Sequence, residues 1–285
     1  MKNFKNAKWR EKVAKVAGTI REREIRFARL QFIDINGILK SLSVRTKDIE
    51  SIFENGQPFD GSSITGYRPI EESDLVAYPD PSAFSIIPWR PKEKSTCRFI
   101  CDIYTPENRR FEGDPRFVLE RVMEKCSRAG FVFKCAPELE FFLVKEQANL
   151  MPTPIDLGGY FDLHPGDLTE EIRRDIADTA EAFGIEIQLA HHETALGQNE
   201  IDFKYDEALT TADRAATMKM VTKAVAARNG YVATYMPKPF PNVNGQVCMF
   251  TRACGQVTVL RTYSMRTTKG QGTCPRQLFT SSAAS

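Results

Sequence analysis

The chain has 285 residues, 42% hydrophobic and 27% charged, which is enough apolar material to build one or two packed domains. No run approaches the ~18 consecutive apolar residues of a membrane helix, and the basic N-terminus lacks the apolar segment of an export signal. We therefore expect a cytoplasmic chain with no membrane partner. Its seven cysteines show no metal-ligand spacing, which predicts reduced thiols.

The first third of the sequence predicts a short helix followed by a small, mostly β domain. Residues 1–21 form the expected N-terminal helix, and residues 22–106 form the expected β domain. Within that domain, residues 25–35 alternate apolar and polar side chains, as a half-buried strand does. Asn36-Gly37 then predicts a hairpin turn.

A second domain is predicted over 113–245, after a polar boundary near 107–113. Asp114 and Pro115 supply an N-cap and a first-turn proline for a helix that ends near Gly130. Strands alternate with helices through the remainder of this region, which indicates an α+β or α/β domain. Further helices are predicted over 167–183 and 209–228, and strands over 133–144, 185–193, 199–205 and 231–239.

Four glutamates in this second domain carry the clearest chemical signal. Glu138 and Glu140 are two residues apart, so a strand places both on one face. Glu193 ends one predicted strand and Glu200 begins the next, so an antiparallel pair would bring them together. Converging carboxylates repel one another unless a hard cation such as Mg²⁺ or Mn²⁺ neutralises them. A solvated strand face with scattered glutamates is the alternative.

Two other features permit more than one interpretation. His191 and His192 could indicate zinc, but adjacent strand residues face opposite ways, so both cannot easily bind one ion. The DGSS segment at 60–63 offers a carboxylate and two hydroxyls, which an ordinary Asx or Ser turn also explains.

Several long segments together resemble type I glutamine synthetases, and they occur in family order over residues 20–245. The matching segments are FDGSSITGYRPIEESDLVAYPD at 59–80, PELEFFL at 137–143, HHETALGQNEIDFKYDEALTTAD at 191–213 and MPKPFPNVNG at 236–245. The resemblance implies an α+β fold, with an N-terminal β-grasp domain and part of a catalytic domain built on a curved antiparallel sheet with helices. It also implies ATP-dependent ligation of ammonia to L-glutamate through a γ-glutamyl phosphate, in a homo-oligomer of twelve subunits.

The resemblance assigns roles residue by residue. Glu140, Glu193 and Glu200 match the ligands of one Mg²⁺ or Mn²⁺, and Glu138 matches a ligand of the second. Asp60 matches the aspartate that helps deprotonate ammonium in a neighbouring subunit's site, and Ser63 lies beside it. Asn244 and Gly245 match positions that bind glutamate. Gln188 and Tyr205 match positions near the nucleotide.

The sequence changes character after Gly245. Residues 246–285 contain no Asp or Glu and five Lys or Arg, whereas the preceding residues carry 34 basic and 37 acidic side chains. The family motif continues as NGSGMHxHQSLW, but this chain reads NGQVCMFTRACG. Codons for 246–255 read one base earlier permit SGMHVHQSLW, and the same frame over 273–284 permits NLSETALHFIGG, similar to a later family motif. These observations predict a one-base loss at the Gly245 codon.

An out-of-frame tail has consequences for order and activity. The tail has few aliphatic residues and no helical or strand periodicity, so we expect it to be poorly ordered and the chain to be inactive. The alternatives are a catalytically dead fragment, a γ-glutamyl-amine ligase of the same superfamily, and a nucleic-acid binder with a basic tail. The out-of-frame explanation already accounts for the basic tail, so no nucleic-acid partner is expected.

Overall fold

A computed structural model describes residues 6–91, 93, 95–145, 153–246, 248–256 and 262–263. Within these residues the chain forms two antiparallel-rich sheets, each with its own helices and hydrophobic core. This arrangement confirms the predicted α+β class. No helix in the described part of the chain has the length and apolar character needed to cross a lipid bilayer.

The first sheet is built from the N-terminal region. Its elements are α1 (Ala7–Glu22), β1 (Phe27–Ile33), β2 (Leu39–Arg45), α2 (Ile49–Asn55), β3 (Gln57–Asp60), β4 (Asp74–Pro79), β5 (Ser85–Ile86) and β6 (Thr96–Tyr104). The strands lie in the order β2-β1-β6-β4-β3, with β5 also paired to β6. β1 and β6 run parallel, and the other described pairs are antiparallel.

Local sequence explains how this region folds. Asn6 caps α1, because its side chain accepts a hydrogen bond of 2.8 Å from the backbone N–H of Trp9. The ring of Trp9 then meets Phe53 of α2 edge to face, which joins both helices to the core. The predicted hairpin turn is confirmed: Gly37 has φ +74°, and its N–H donates to the carbonyl of Asp34 between β1 and β2.

The second sheet is organised around one long central strand. Its elements are α3 (Pro115–Arg128), β7 (Phe131–Lys145), β8 (Thr153–Pro154), α4 (Glu170–Glu181), β9 (Ile187–His192), β10 (Gln198–Phe203), β11 (Asp206–Glu207), α5 (Ala208–Arg228), β12 (Val232–Thr234), β13 (Cys248–Gln256) and β14 (Thr262–Tyr263). The main path is β14-β13-β7-β10-β9, and β8, β11 and β12 also pair with β7. Buried side chains of α4 and α5 pack against the apolar face of β7 and β10, including Phe141, Ile201 and Val221.

The predicted helices of this domain are confirmed, with one late start. α3 begins at Pro115 because Asp114 caps it, accepting a 3.0 Å hydrogen bond from the N–H of Arg116. α4 begins at Glu170 rather than near residue 167. The side chain of Asp167 accepts from the N–H of Thr169, which forms an Asx turn ahead of the helix.

A buried ion network joins the two halves of the molecule. The guanidinium of Arg116 bonds Asp80 at 2.9 Å and Asp213 of α5 at 3.0 Å, and it also pairs with Asp102 of β6. A second link runs from Arg98 of β6 to the hydroxyl of Thr217 at 2.9 Å. These contacts fix the first sheet against α5.

The expectation of no regular structure after Gly245 is wrong for Cys248–Gln256. This segment forms β13 and pairs with β7 along nine successive positions. Main-chain hydrogen bonds form between any two extended segments, so an exposed edge of β7 accepts a strand whose side chains show no periodicity. Thr262–Tyr263 also forms a strand, β14, and positions 247, 257–261 and 264–285 of the predicted disordered tail lie outside the described residues.

Candidate metal and active site

The register of β7 and β10 brings carboxylates from two distant parts of the sequence onto one face. Glu140 lies opposite Glu200, and Glu138 lies opposite Asp202. Side chains directly opposite one another in an antiparallel pair are separated by about 4.5–5.5 Å at Cβ, so each pair is in direct proximity. The prediction that Glu138 and Glu140 share a face is confirmed.

The turn after β9 adds a further carboxylate and a histidine. The N–H of Glu193 donates 2.8 Å to the carbonyl of Gln198, which closes the turn and brings Glu193 back towards Glu200. His191 stands opposite Glu200 across β9 and β10, with its Nε2 atom 3.6 Å from the Oε2 atom of Glu200. One potential ligand atom from each of His191, Glu193 and Glu200 lies within 4.8 Å of the others. We name the following set the carboxylate cluster: Glu138, Glu140, Glu193, Glu200 and Asp202.

The carboxylate cluster carries negative charge in a mostly buried place. The side chains of Glu193 and Glu200 are only 13% and 11% exposed. Burial and the charge of Asp202 hold the pKa of Glu200 well above its ordinary range, and burial followed by the charge of Glu138 raises the pKa of Asp202. The Oδ1 atom of Asp202 is buried and has no hydrogen-bond partner among the described residues.

Little positive charge compensates this cluster. Glu140 accepts a 2.6 Å hydrogen bond from the amide of Gln198, which is neutral. Apart from Glu140, no member of the cluster has a lysine or arginine within 4.0 Å in the part of the chain that the structure describes. Carboxylate oxygens on a face with few neighbouring cationic side chains suit a hard divalent cation. The residues present therefore fit a metal site.

A neighbouring acidic group has a different character. Asp156, Asp167 and His192 also converge within 4.8 Å, but Arg173 already neutralises this group by pairing with Asp167. The Oδ1 atom of Asp156 lies 3.1 Å from His192 Nε2 and accepts 2.8 Å from the N–H of Gly197. With its polar atoms occupied, this group holds the 156–169 segment against the turn that carries Glu193.

The two adjacent histidines point to different sites, as the alternation of a strand predicts. His191 faces the carboxylate cluster, whereas His192 is fully buried against Asp156. The rings of Tyr160 and Phe161 meet His191 edge to face, with centroids 5.4 and 4.6 Å away. A shared zinc ion on both histidines is therefore incompatible with this geometry.

Asp60 and Ser63 lie in a turn at the end of β3, on the first sheet. The Oδ1 atom of Asp60 accepts from the N–H and hydroxyl of Ser62, and its Oδ2 atom accepts 2.9 Å from the hydroxyl of Ser63. These hydrogen bonds, first those from Ser62, lower the pKa of Asp60. None of these partners belongs to the carboxylate cluster, so within one chain Asp60 and the cluster remain separate features.

The predicted glutamate-binding residues approach the cluster from another side. The amide of Asn244 donates 3.0 Å to the hydroxyl of Thr194, next to Glu193. Gly245 is in close contact with the backbone: a Cβ atom there would lie 2.6 Å from the carbonyl oxygen of Pro237. The segment before residue 246 therefore needs glycine at this position to lie beside Pro237.

The two predicted nucleotide-side residues are exposed. Gln188 lies on β9 and Tyr205 follows β10, where its ring is 53% exposed and lies 5.4 Å from the ammonium of Lys134. The structure does not bring either residue into contact with the carboxylate cluster.

Sequence reasoning missed two members of the site, Asp202 and His191. Asp202 lies two residues after Glu200, and the same two-residue spacing that identified Glu138 and Glu140 would have found it. The sequence indicates His191 only as half of a candidate zinc pair. Its position opposite Glu200 depends on the β9–β10 register.

The fold and the site define a protein with two sheets, the second of which presents an acidic face suited to a divalent cation. Two family models match the chain: "Glutamine synthetase, beta-Grasp domain" over residues 24–106 and "Glutamine synthetase, catalytic domain" over residues 112–250. The chain therefore belongs to the glutamine synthetase family.

Individual relatives agree with this assignment. Glutamine synthetase of Thermotoga maritima is 48% identical over 228 residues, which cover 79% of this chain and 52% of the relative. That of Methanosarcina mazei is 46% identical over 232 residues, covering 81% and 52%. The chain thus spans about half the length of the curated relatives that it matches.

Two solved structures have a similar fold. A GmaS/ADP complex superposes with a TM-score of 0.78 at 29% identity, covering 85% of this chain and 56% of that one. The cryo-EM structure of Plasmodium falciparum glutamine synthetase gives a TM-score of 0.79 at 23% identity, covering 86% and 54%. The second likeness is evidence for the fold alone.

Proposed function

We propose that this chain comes from a glutamate–ammonia ligase, which joins ammonia to L-glutamate at the expense of ATP through a γ-glutamyl phosphate. The products are glutamine, ADP and phosphate. The observation that carries the proposal is the convergence of carboxylates on one face of β7 and β10, in a chain of the glutamine synthetase family. The similar GmaS structure is a complex with ADP, which supports a nucleotide as substrate.

In this proposal the cluster holds Mg²⁺ or Mn²⁺. Glu140, Glu193 and Glu200 would bind one ion, and Glu138 would contribute to a second. Such ions, when bound, neutralise phosphate oxygens, which is the main requirement of phosphoryl transfer. Asp202 adds a half-buried carboxylate beside Glu138, and its buried Oδ1 atom has no hydrogen-bond partner among the described residues.

The remaining matched residues would bind and orient substrates. Hydrogen bonds from Ser62 and Ser63 keep Asp60 ionised, so it can attract an ammonium ion and receive its proton in a neighbouring subunit's site. Asn244 and Gly245 would contact glutamate, since the Asn244 amide already lies beside the Glu193 turn. Gln188 and Tyr205 are proposed to contact the nucleotide from the exposed side of the second sheet.

We further infer that residues 246–285 are out of frame. The backbone register supports this inference, because Met249 of β13 stands opposite Glu138. The shifted reading SGMHVHQSLW over 246–255 has a histidine at position 249. A histidine there would stand beside Glu138, where a second cation needs ligands. The chain as written has methionine, and we therefore expect little or no ligase activity.

One experiment tests function and frame together. The gene is sequenced across codon 245, one base is restored there, and both products are purified and assayed for ATP- and ammonia-dependent glutamine formation. The proposal expects activity from the restored protein and none from the 285-residue chain. A DNA sequence whose shifted frame lacks MHxHQS refutes the out-of-frame inference. Glutamine formation by the unaltered chain refutes the expected inactivity, and an inactive restored protein argues against the ligase assignment.

We also propose that the intact protein is a cytoplasmic homo-oligomer, a dodecamer in the family. Several large apolar side chains are exposed on the 156–169 segment, including Leu157 at 83% and Leu163 at 76%. Such a concentration of exposed apolar surface favours contact with another subunit. Sedimentation of the frame-restored protein should give a large assembly, and a monomer would contradict the proposal. Fractionation of cells would test the compartment.

A further inference from the structure

A cavity lined by arginines lies on the first sheet, away from the carboxylate cluster. It has a volume of about 380 Å³ and opens between β1, β2 and the segment before β6. Three arginines, Arg26, Arg29 and Arg90, line it together with the hydroxyl-bearing residues Ser43 and Ser95. The cavity is within the roughly 300–1,000 Å³ range of small-molecule sites.

The charge of this cavity is not balanced by the protein. Among the described residues, none of the guanidinium groups of Arg26, Arg29 and Arg90 forms an ion pair or a hydrogen bond. By contrast, the arginines at 110, 116 and 173 are each paired with carboxylates. The wall also carries the carboxylate of Glu93, which pairs with none of the three. The lining therefore keeps a net positive charge at neutral pH.

The backbone fixes the cavity floor. β1 lies between β2 and β6, with Arg29 opposite Ser43 on one side and Arg98 on the other. Phe27 precedes Arg29 on the same face of β1, and the guanidinium of Arg45 lies 5.0 Å from its ring centroid. A fourth arginine, outside the lining, thus adds positive charge next to Phe27. Strand pairing holds the backbone of Arg29 and Ser43 in place, whereas the guanidinium groups are ordered by the ligand when it binds.

We propose that this cavity binds a small dianion. Guanidinium groups bind phosphate and carboxylate oxygens through two parallel hydrogen bonds, and the walls offer many donors and few acceptors. The carboxylate cluster on the second sheet repels anions in the absence of metal, so the two sites have opposite preferences. Orthophosphate and a short dicarboxylate share the required chemistry, and the experiment separates them.

The test is calorimetric titration of the full chain in metal-free chloride buffer with orthophosphate and, separately, glutarate. Acetate serves as the monoanion control. We expect saturable binding of at least one dianion with a Kd of the order of 1 mM or tighter. Arg29→Gln should weaken that binding about tenfold or more, because a hydrogen bond to a charged group is lost. Arg128→Gln, a change at an exposed helix end, should leave it unchanged.

The titrations of the two arginine variants decide whether the cavity binds the dianion. If Arg29→Gln lowers the thermal midpoint and cannot be titrated, Arg90→Gln at the rim carries the test. Dianion binding that either variant weakens supports the site, and the titrant that binds identifies phosphate or dicarboxylate. Binding that neither variant weakens, equal binding of acetate, or no binding up to about 10 mM overturns it.

Discussion

Glu140 and Glu200 occupy directly opposed positions on β7 and β10, so two carboxylates share one buried face of the second sheet. Like charges placed opposite one another destabilise a strand pair. This relationship links the stability of the domain to whatever cation the face binds.

Neutralising one of these carboxylates should therefore have opposite effects with and without metal. In metal-free buffer we expect Glu200→Gln to stabilise the chain by up to about 1 kcal/mol, because glutamine requires neither a buried charge nor the proton uptake that the raised pKa of Glu200 implies. At a Mn²⁺ concentration near 100 Kd, the wild type should gain about 2.7 kcal/mol and the variant much less. Urea unfolding with and without Mn²⁺ measures both. Glu54→Gln, on the exposed side of α2, is the control. Equal stabilisation of all three proteins by Mn²⁺ would contradict the assignment.

Arg116 should be the costliest single ion-pair residue to remove. Its guanidinium is buried among Asp80, Asp102 and Asp213, so Arg116→Gln leaves Asp80 and Asp213 without their counter-charge and Asp102 with Arg110 alone. We expect a loss of about 3–5 kcal/mol in the free energy of unfolding. Arg128→Gln removes an exposed pair and should cost less than about 1 kcal/mol. Chemical denaturation measures both variants, and similar losses in the free energy of unfolding would contradict this prediction.

Asp167 predicts an acid-dependent contribution to stability. Burial alone would raise its pKa, but hydrogen bonds from Arg173 and Thr169 outweigh burial and lower the pKa to about 2. A lowered carboxylate pKa contributes stability that is present above the unfolded value near 3.8 and is lost as pH falls towards 2.

Asp167→Asn should accordingly destabilise the chain at pH 7, and the difference from wild type should shrink between about pH 4 and pH 2. Urea midpoints measured across this range provide the test. Asp178→Asn, at an exposed position of α4, should show no such trend. A wild-type advantage that stayed constant down to the lowest measurable pH would rule out the ionic explanation.

Gly197 should tolerate substitution less well than Gly184. Both have positive φ, +68° and +76°, so alanine is strained at either position. At Gly197 a Cβ atom would also lie 2.8 Å from the carbonyl oxygen of Leu143, whereas at Gly184 nothing lies within 4 Å. We expect Gly197→Ala to cost at least about 1 kcal/mol more than Gly184→Ala in thermal or urea unfolding, and to weaken Mn²⁺ binding through the Glu193 turn. Equal losses would show that the backbone relaxes freely.

The sequence predicted features that follow from local geometry. The face shared by Glu138 and Glu140 follows from strand alternation alone, and the cap at Asp114 follows from its side-chain chemistry. The pairing of Glu140 with Glu200 could not be read in this way, because register depends on how α4 and α5 pack against the sheet. The spacing from Glu200 places Asp202 on the same face, but its position opposite Glu138 follows from the register of β10 and β7.

The same limit explains the tail. Hydrophobic periodicity depends on side chains, and residues 248–256 have no strand pattern. Their backbone nevertheless meets a long neighbour, β7, whose own edge determines the pairing.

The pairing of β13 with β7 shows that the position of a strand and the chemistry of its side chains have separate origins. The position of a strand depends on hydrogen bonds to the amide and carbonyl groups of its neighbours, which most sequences can form. The side chains of the strand depend on its own codons, and the loss of one base changes all of them. Position 249 therefore keeps its place opposite Glu138 while its chemistry changes from imidazole to thioether in the inferred frameshift. A damaged gene of this kind can yield a protein that resembles its ancestor in outline and differs from it in reactivity.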